Sequence, residues 1–149
     1  IAKLGGQPFD NTNRVYSGSD NDRQLNRLVQ RFQADPAALA EIEAHYQTSG
    51  HLVSPLVTLH TTGDPIVPYW HESLYRAKVV ASGSGLRHSN IPVFRYGHCN
   101  FKASEVLAGF ALLVLKVTGQ GLTGAESVLP DADSRAEFLK LAQQYGALR

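Results

Sequence analysis

The chain has 149 residues, 43% of them hydrophobic, which allows one globular domain with a real core but not two sizeable ones. Fourteen basic residues against thirteen acidic ones leave a formal charge of +1, and neither sign forms a long block, which argues against the clustered basic face of a nucleic-acid binder. No stretch approaches the roughly 20 apolar residues that cross a bilayer. Cys99 is the single cysteine, so no internal disulfide can form. The sequence begins at Ile1 and lacks methionine, and it is expected to be a piece of a longer protein.

Residues 1 to 22 are rich in Gly, Asn, Asp and Ser and predict loops. From Arg23 the pattern turns helical. Leu25, Leu28, Val29 and Phe32 fall at i, i+3, i+4 and i+7, with Arg23, Arg27 and Arg31 on a neighbouring face, which predicts a helix over 23 to 34. Asp35-Pro36 reads as an N-cap followed by proline at the first helical position, opening a second helix to about Gln47. Its predicted stripe is Leu39, Ile42 and Tyr46, with Gly50 as a stop. These two helices fit either a cap over a site or plain packing.

"SPLVTLHTT" is a short apolar run rich in β-branched residues, as expected of a strand buried on both faces. "IPVFRY" (91 to 96) reads as a second strand, with Pro92 tolerable only near its start. The helical pattern "YWHESLYRAKVVASGSG" lies between them and closes on glycines. Strand, crossover helix and strand make a βαβ unit with parallel, neighbouring strands. "SEVLAGFALLVLKV" then predicts a helix apolar almost all round and packed hard on the sheet. A final helix follows, with Ser134 and Glu137 as a capping box and Phe138, Leu141, Ala142 and Tyr145 as its stripe. The class is α/β. Within residues 1 to 149 the expected division is a loop and helical segment (1–50), a βαβα core (51–118) and a helical extension (119–149).

In open parallel sheets, functional groups collect beyond the carboxyl ends of the strands. Asp64 follows the first strand in the rigid turn "GDPIVP", and His98 follows the second in "YGHCNF". Adjacent strands lie about 4.8 Å apart, so two such loops can bring a carboxylate to an imidazole. The carboxylate then fixes the tautomer and leaves the other nitrogen free to take a proton from a nucleophile.

Over about residues 52 to 118 the sequence resembles the C-terminal half of an α/β-hydrolase. "GDPIVP" is similar to that family's acid turn, and "YGHCNF" to its histidine loop, where Gly-His is followed by an aromatic and the last core helix. The 34-residue gap from Asp64 to His98 is what one helix and one strand require. The resemblance implies a serine hydrolase of esterase, lipase or peptidase type, in which Asp64 and His98 complete a triad acting on a small-molecule ester or amide without a cofactor. The family's chain order is Ser, acid, His, with the serine in a G-x-S-x-G elbow. This chain has no such elbow. Its nearest look-alike, "SGSGL" around Ser84, closes a helix, so the nucleophile is expected upstream of Ile1. Partners implied are the N-terminal half of the same hydrolase, or a second copy covering the exposed edge of the first strand.

Several residues near the pair have two readings. Tyr69 and Trp70 are candidates to line a substrate pocket, or core aromatics at a helix start. His71 reads as an ordinary helix residue, and Cys99 lacks the separate basic partner a nucleophile needs. His60, Asp64, His71, His98 and Cys99 include possible zinc ligands, but their spacing matches no compact metal pattern. A binding or scaffold protein that kept the fold without the chemistry stands as the alternative function.

Overall fold

A computed structural model describes residues 2–148 and divides them into two units, one up to Thr48 and the other from Ser49. The first holds a 3-10 turn (Ala2–Leu4), helix α1 (Asp22–Leu28) and helix α2 (Pro36–His45). Helix α1 stops at Leu28, well short of the predicted 34. Val29 is already extended at ψ 133, and the following backbone is claimed by the N-terminal loop. Asn11 N–H donates to the Phe32 carbonyl at 3.0 Å, Phe32 N–H to Asn11 Oδ1 at 2.6 Å, and Ala34 N–H to Asp10 Oδ2 at 3.0 Å. These long-range bonds satisfy groups that a helix would otherwise use. Phe32 and Arg31 therefore leave the predicted faces, and Arg31 instead donates to the carbonyls of Asn11, Arg14 and Asn26.

The α2 boundary is as predicted at its start, where Asp35 Oδ1 accepts from Ala37 N–H at 2.9 Å and Pro36 takes the first position. Its buried residue is Ala38, while Leu39 and Tyr46 are exposed, so the predicted stripe is corrected. The helix ends at His45, before Gly50, which instead passes against the backbone of Lys78.

The second unit runs β1 (Leu56–Gly63), α3 (Trp70–Ala81), β2 (His88–Tyr96), α4 (Ala103–Thr118) and α5 (Ala132–Gln144). It is mixed α/β. Among the described residues the sheet has two strands, β1 and β2, paired in parallel from Leu56 opposite His88 to Gly63 opposite Tyr96. With β2 its one neighbouring strand among the described residues, β1 is half-buried along most of its length and Thr61 is its one fully buried residue, short of the burial expected on both faces. β2 begins three residues earlier than expected, which places Pro92 mid-strand opposite His60. A strand paired on one side tolerates that proline.

The two sheet faces differ in kind. Leu59, Val57 and Ile91 join α4 and α5 in the core, around Ala108, Ala111, Leu112 and the fully buried Phe138. Gly109 lets α4 lie close on β1, since a Cβ there would stand 2.5 Å from Leu59 Cδ1. The α5 stripe is as predicted, but its cap is not. Asp131 is the N-cap and accepts from Ser134 N–H at 2.7 Å, while Glu137 reaches Lys102 and Ser104 instead of its own helix start.

The opposite face is polar and meets α3. Thr58 donates to Glu72 at 2.9 Å, Asn90 donates to Thr58 Oγ1 at 3.1 Å, and the His88 ring lies edge-on to Tyr75. His88 is buried, with Nε2 3.2 Å from Thr58 Oγ1 and Nδ1 unpartnered among the described residues. Burial holds its pKa below the ordinary 6.5; Glu72 opposes this, and Arg76 and Lys116 add to it.

Two measurements follow from this packing. Gly109→Val forces a branched side chain into Leu59 and is expected to destabilise the chain by about 1–3 kcal/mol in urea melts. A depressed histidine is neutral when folded and charges when unfolded. Stability is therefore full above pH 6.5 and declines as pH falls below it, by at most about 1.4 kcal/mol per pH unit for one proton. Urea midpoints at pH 8 and pH 5.5 should show this slope, and His88→Gln should remove this residue's share of it.

Candidate functional site

Because β1 and β2 run the same way, their carboxyl ends lie at one edge of the sheet, and both unusual loops leave from there. The first is the Gly-Asp-Pro turn. Asp64 Oδ1 accepts from the N–H groups of Ile66 at 2.8 Å and Val67 at 2.9 Å, an Asx-type arrangement in which the carboxylate organises its own loop. The second oxygen, Oδ2, lies 2.8 Å from His98 Nδ1. The predicted pair is brought together.

Its electrostatics are asymmetric. The Asp64 side chain is 3% exposed and that of His98 is 42% exposed. Burial pushes the Asp64 carboxyl up, but the hydrogen bonds from Val67, His98 and Ile66 and the charge of the imidazole outweigh it, taking the pKa down to about 2. An ionised carboxylate only accepts, so Nδ1 carries the proton and Nε2 of the neutral ring is the acceptor. Among the described residues the group at Nε2 is the Cys99 thiol, with Sγ at 3.6 Å. This arrangement fixes the tautomer, stabilises an imidazolium and presents Nε2 as a base.

The histidine loop takes two left-handed residues in close succession. Gly97 has φ 115, a conformation suited to glycine, and Cys99 has φ 49, unusual for a residue with a side chain. Tethers hold this turn to the strands. Gly97 N–H donates to the Gly63 carbonyl at 3.2 Å, and the buried Thr61 hydroxyl donates to the Gly97 carbonyl. Thr61 went unnoticed in the sequence, where it is one β-branched residue among several.

The neighbouring candidates separate. Tyr69 turns inward and its hydroxyl donates to Asn90 Oδ1, so it belongs to the α3–sheet interface. Burial raises its pKa, with help from Glu72 and Tyr145. Trp70 is 56% exposed and stacks on His71 at 3.9 Å, which leaves it available at the rim of the acid loop. Ser84 is buried and its Oγ accepts from Leu52 N–H at 3.1 Å, a structural role. His60 Nδ1 lies 2.9 Å from its neighbour's carbonyl at Thr61. Among the described residues no group of three or more His, Cys, Asp or Glu side chains is placed to hold a metal ion.

Comparison of the chain with protein-family models, with curated proteins and with solved structures finds no match.

The depressed carboxyl has a direct consequence. Asp64 contributes stability above its ordinary value of 3.8, and the contribution is lost as pH falls through about 2. In nitrogen-15 spectra at pH 8, the native chain should show the His98 ring as the Nδ1–H tautomer that the Asp64 contact selects. Asp64→Asn presents an amide to Nδ1 and should shift the ring towards the other tautomer at pH 8.

Proposed function

We propose that this chain is the acid-and-histidine portion of a serine hydrolase of the α/β-hydrolase type. The observation that supports this is the 2.8 Å contact between Asp64 and His98 on loops leaving the same edge of a parallel strand pair. In this reading a serine hydroxyl from another segment approaches Nε2 and displaces the Cys99 thiol. His98 takes the serine proton as the oxygen attacks an ester or amide carbonyl, and then returns it to the leaving group. Asp64 keeps Nδ1 protonated and stabilises the imidazolium. Oxyanion donors come with the serine, since this fold places one of them on the residue that follows it. Trp70, exposed beside the acid turn, is the aromatic positioned to meet substrate.

The same reading assigns the partner. In a larger parallel sheet, β1 would gain a second neighbouring strand, which its half-buried Leu56, Val57 and Leu59 suit. Helix α4 also leaves Val106 and Phe110 more than half exposed, as expected of a face awaiting a cover. The cover is the N-terminal half of the hydrolase or, when this chain is alone, a second copy related by a two-fold axis.

Activated-ester assays on the purified chain should read no hydrolysis above buffer. Joined to the segment bearing the serine, the assembled protein should turn over. His98→Ala should then lower kcat by about a million-fold, and Asp64→Asn by about ten-thousand-fold. Turnover by the chain alone that disappears in His98→Ala would place the nucleophile inside it instead. Light scattering at micromolar concentration should find a dimer of the isolated chain, and a monomer would show that β1 and α4 need no cover.

A further inference from the structure

We infer that Arg95 and Glu105 are positioning residues for His98, holding the loop from Gly97 to Lys102 so that the imidazole meets Asp64 through Nδ1. This rests on the reading of His98 as the general base. A half-exposed imidazole needs a hold other than packing to stay in place. With 42% of its side chain exposed, His98 is fixed less by packing than by its loop, and that loop contains two left-handed residues.

On the β1 side, Thr61 and Gly63 hold Gly97. On the far side the work falls to one guanidinium. Arg95 Nη1 donates to the Asn100 carbonyl at 2.6 Å and to Glu105 Oε2 at 3.0 Å, while Nη2 donates to Glu105 Oε1 at 2.8 Å. Glu105 in turn accepts from Lys102 N–H at 2.7 Å through Oε2. The pair therefore grips the loop at Asn100 and Lys102, and His98 lies between these holds and the one at Gly97. Asn100 closes the turn on itself by donating to the Tyr96 carbonyl at 3.0 Å. The Glu105 side chain is 10% exposed and that of Arg95 27%, so the fork is shielded from water and more directional than a surface pair. Only arginine presents a planar fork to both carboxylate oxygens while one of its nitrogens also reaches a carbonyl; an ammonium at the end of a lysine cannot.

A neighbouring ion pair provides the control. Lys102 Nζ and Glu137 lie 2.6 Å apart at the same helix start, and Glu137 accepts from Lys102 Nζ and the Ser104 hydroxyl, not from a backbone group of the histidine loop as Glu105 does. If Arg95 and Glu105 only anchored α4, losing either ion pair would act alike on the histidine.

The test uses this chain and needs no turnover. Solvent exchange of the His98 Nδ1 proton and the carbon-13 titration of the Asp64 carboxyl are followed in Arg95→Gln, Glu105→Gln, Arg95→Lys and Lys102→Gln. In the first two, exchange is expected to accelerate by about tenfold or more as the loop opens locally. The Asp64 midpoint should also rise from about 2 towards its ordinary value. Arg95→Lys should lie between these and the native chain, and Lys102→Gln should match the native chain. Native behaviour in Arg95→Gln, or equal effects in Arg95→Gln and Lys102→Gln, would overturn the inference. Should Arg95→Gln fail to fold, native exchange in Arg95→Lys overturns it. Failure of the assembled protein to hydrolyse esters would strike the hydrolase reading while leaving these ring and carboxyl readouts intact.

Discussion

The parallel pairing of β1 with β2 obliges the chain to travel the length of the sheet between them, and α3 is that return. An antiparallel hairpin would have put the loop after β1 at one end and the loop after β2 at the other. With both strands pointing the same way, their final residues, Gly63 and Tyr96, are still paired, one residue out of the register kept from Leu56–His88 to Thr61–Val93. The ladder is irregular between Thr61 and Gly63, next to where the loops diverge. That local departure brings Thr61 under the histidine loop and Asp64 against the ring above it.

Around that meeting point, rigidity and access are divided between the two partners. Asp64 is enclosed, ionised and committed to two backbone donors, so it cannot turn away without breaking its own loop. His98 is the more exposed partner, with the Cys99 thiol 3.6 Å from its Nε2. A buried acid that fixes an exposed base suits proton transfer, because orientation is settled before anything arrives.

Much of this was legible in the sequence wherever a residue type has few uses. Gly-Asp-Pro after a β-branched run, and Gly-His after another, located the strand ends and the pair at Asp64 and His98. The Asp35-Pro36 cap and the α5 stripe through Phe138 and Ala142 were legible for the same reason. What was not legible depended on partners distant in sequence. The α1 pattern continued to Phe32, but Asn11 and Asp10 took the backbone there. Glu137 had the spacing of a capping box, but Lys102 and Ser104 compete for it and Asp131 supplies the cap. Tyr69 at a helix start gave no sign of Asn90 across the interface. Arg95 and Glu105, ten positions apart in sequence, were likewise ordinary charges until the fold joined them in one ion pair.

The unlike faces of the two-stranded sheet carry a consequence for folding fidelity. Moving the register of either strand by a single residue turns all of its side chains over. For β1, the slip would set Val57 and Leu59 beneath the carboxylate of Glu72, and Thr58 and His60 against the alanines and leucine of α4. Most half-exposed sheets lose only apolar burial when they slip, because their outer side faces water. Here the error is charged twice, once for stranding hydrocarbon beneath the Glu72 carboxylate and once for driving hydroxyl and imidazole groups into an apolar core. Mispaired forms are thereby disfavoured on both faces, which helps the two strands among the described residues hold one alignment.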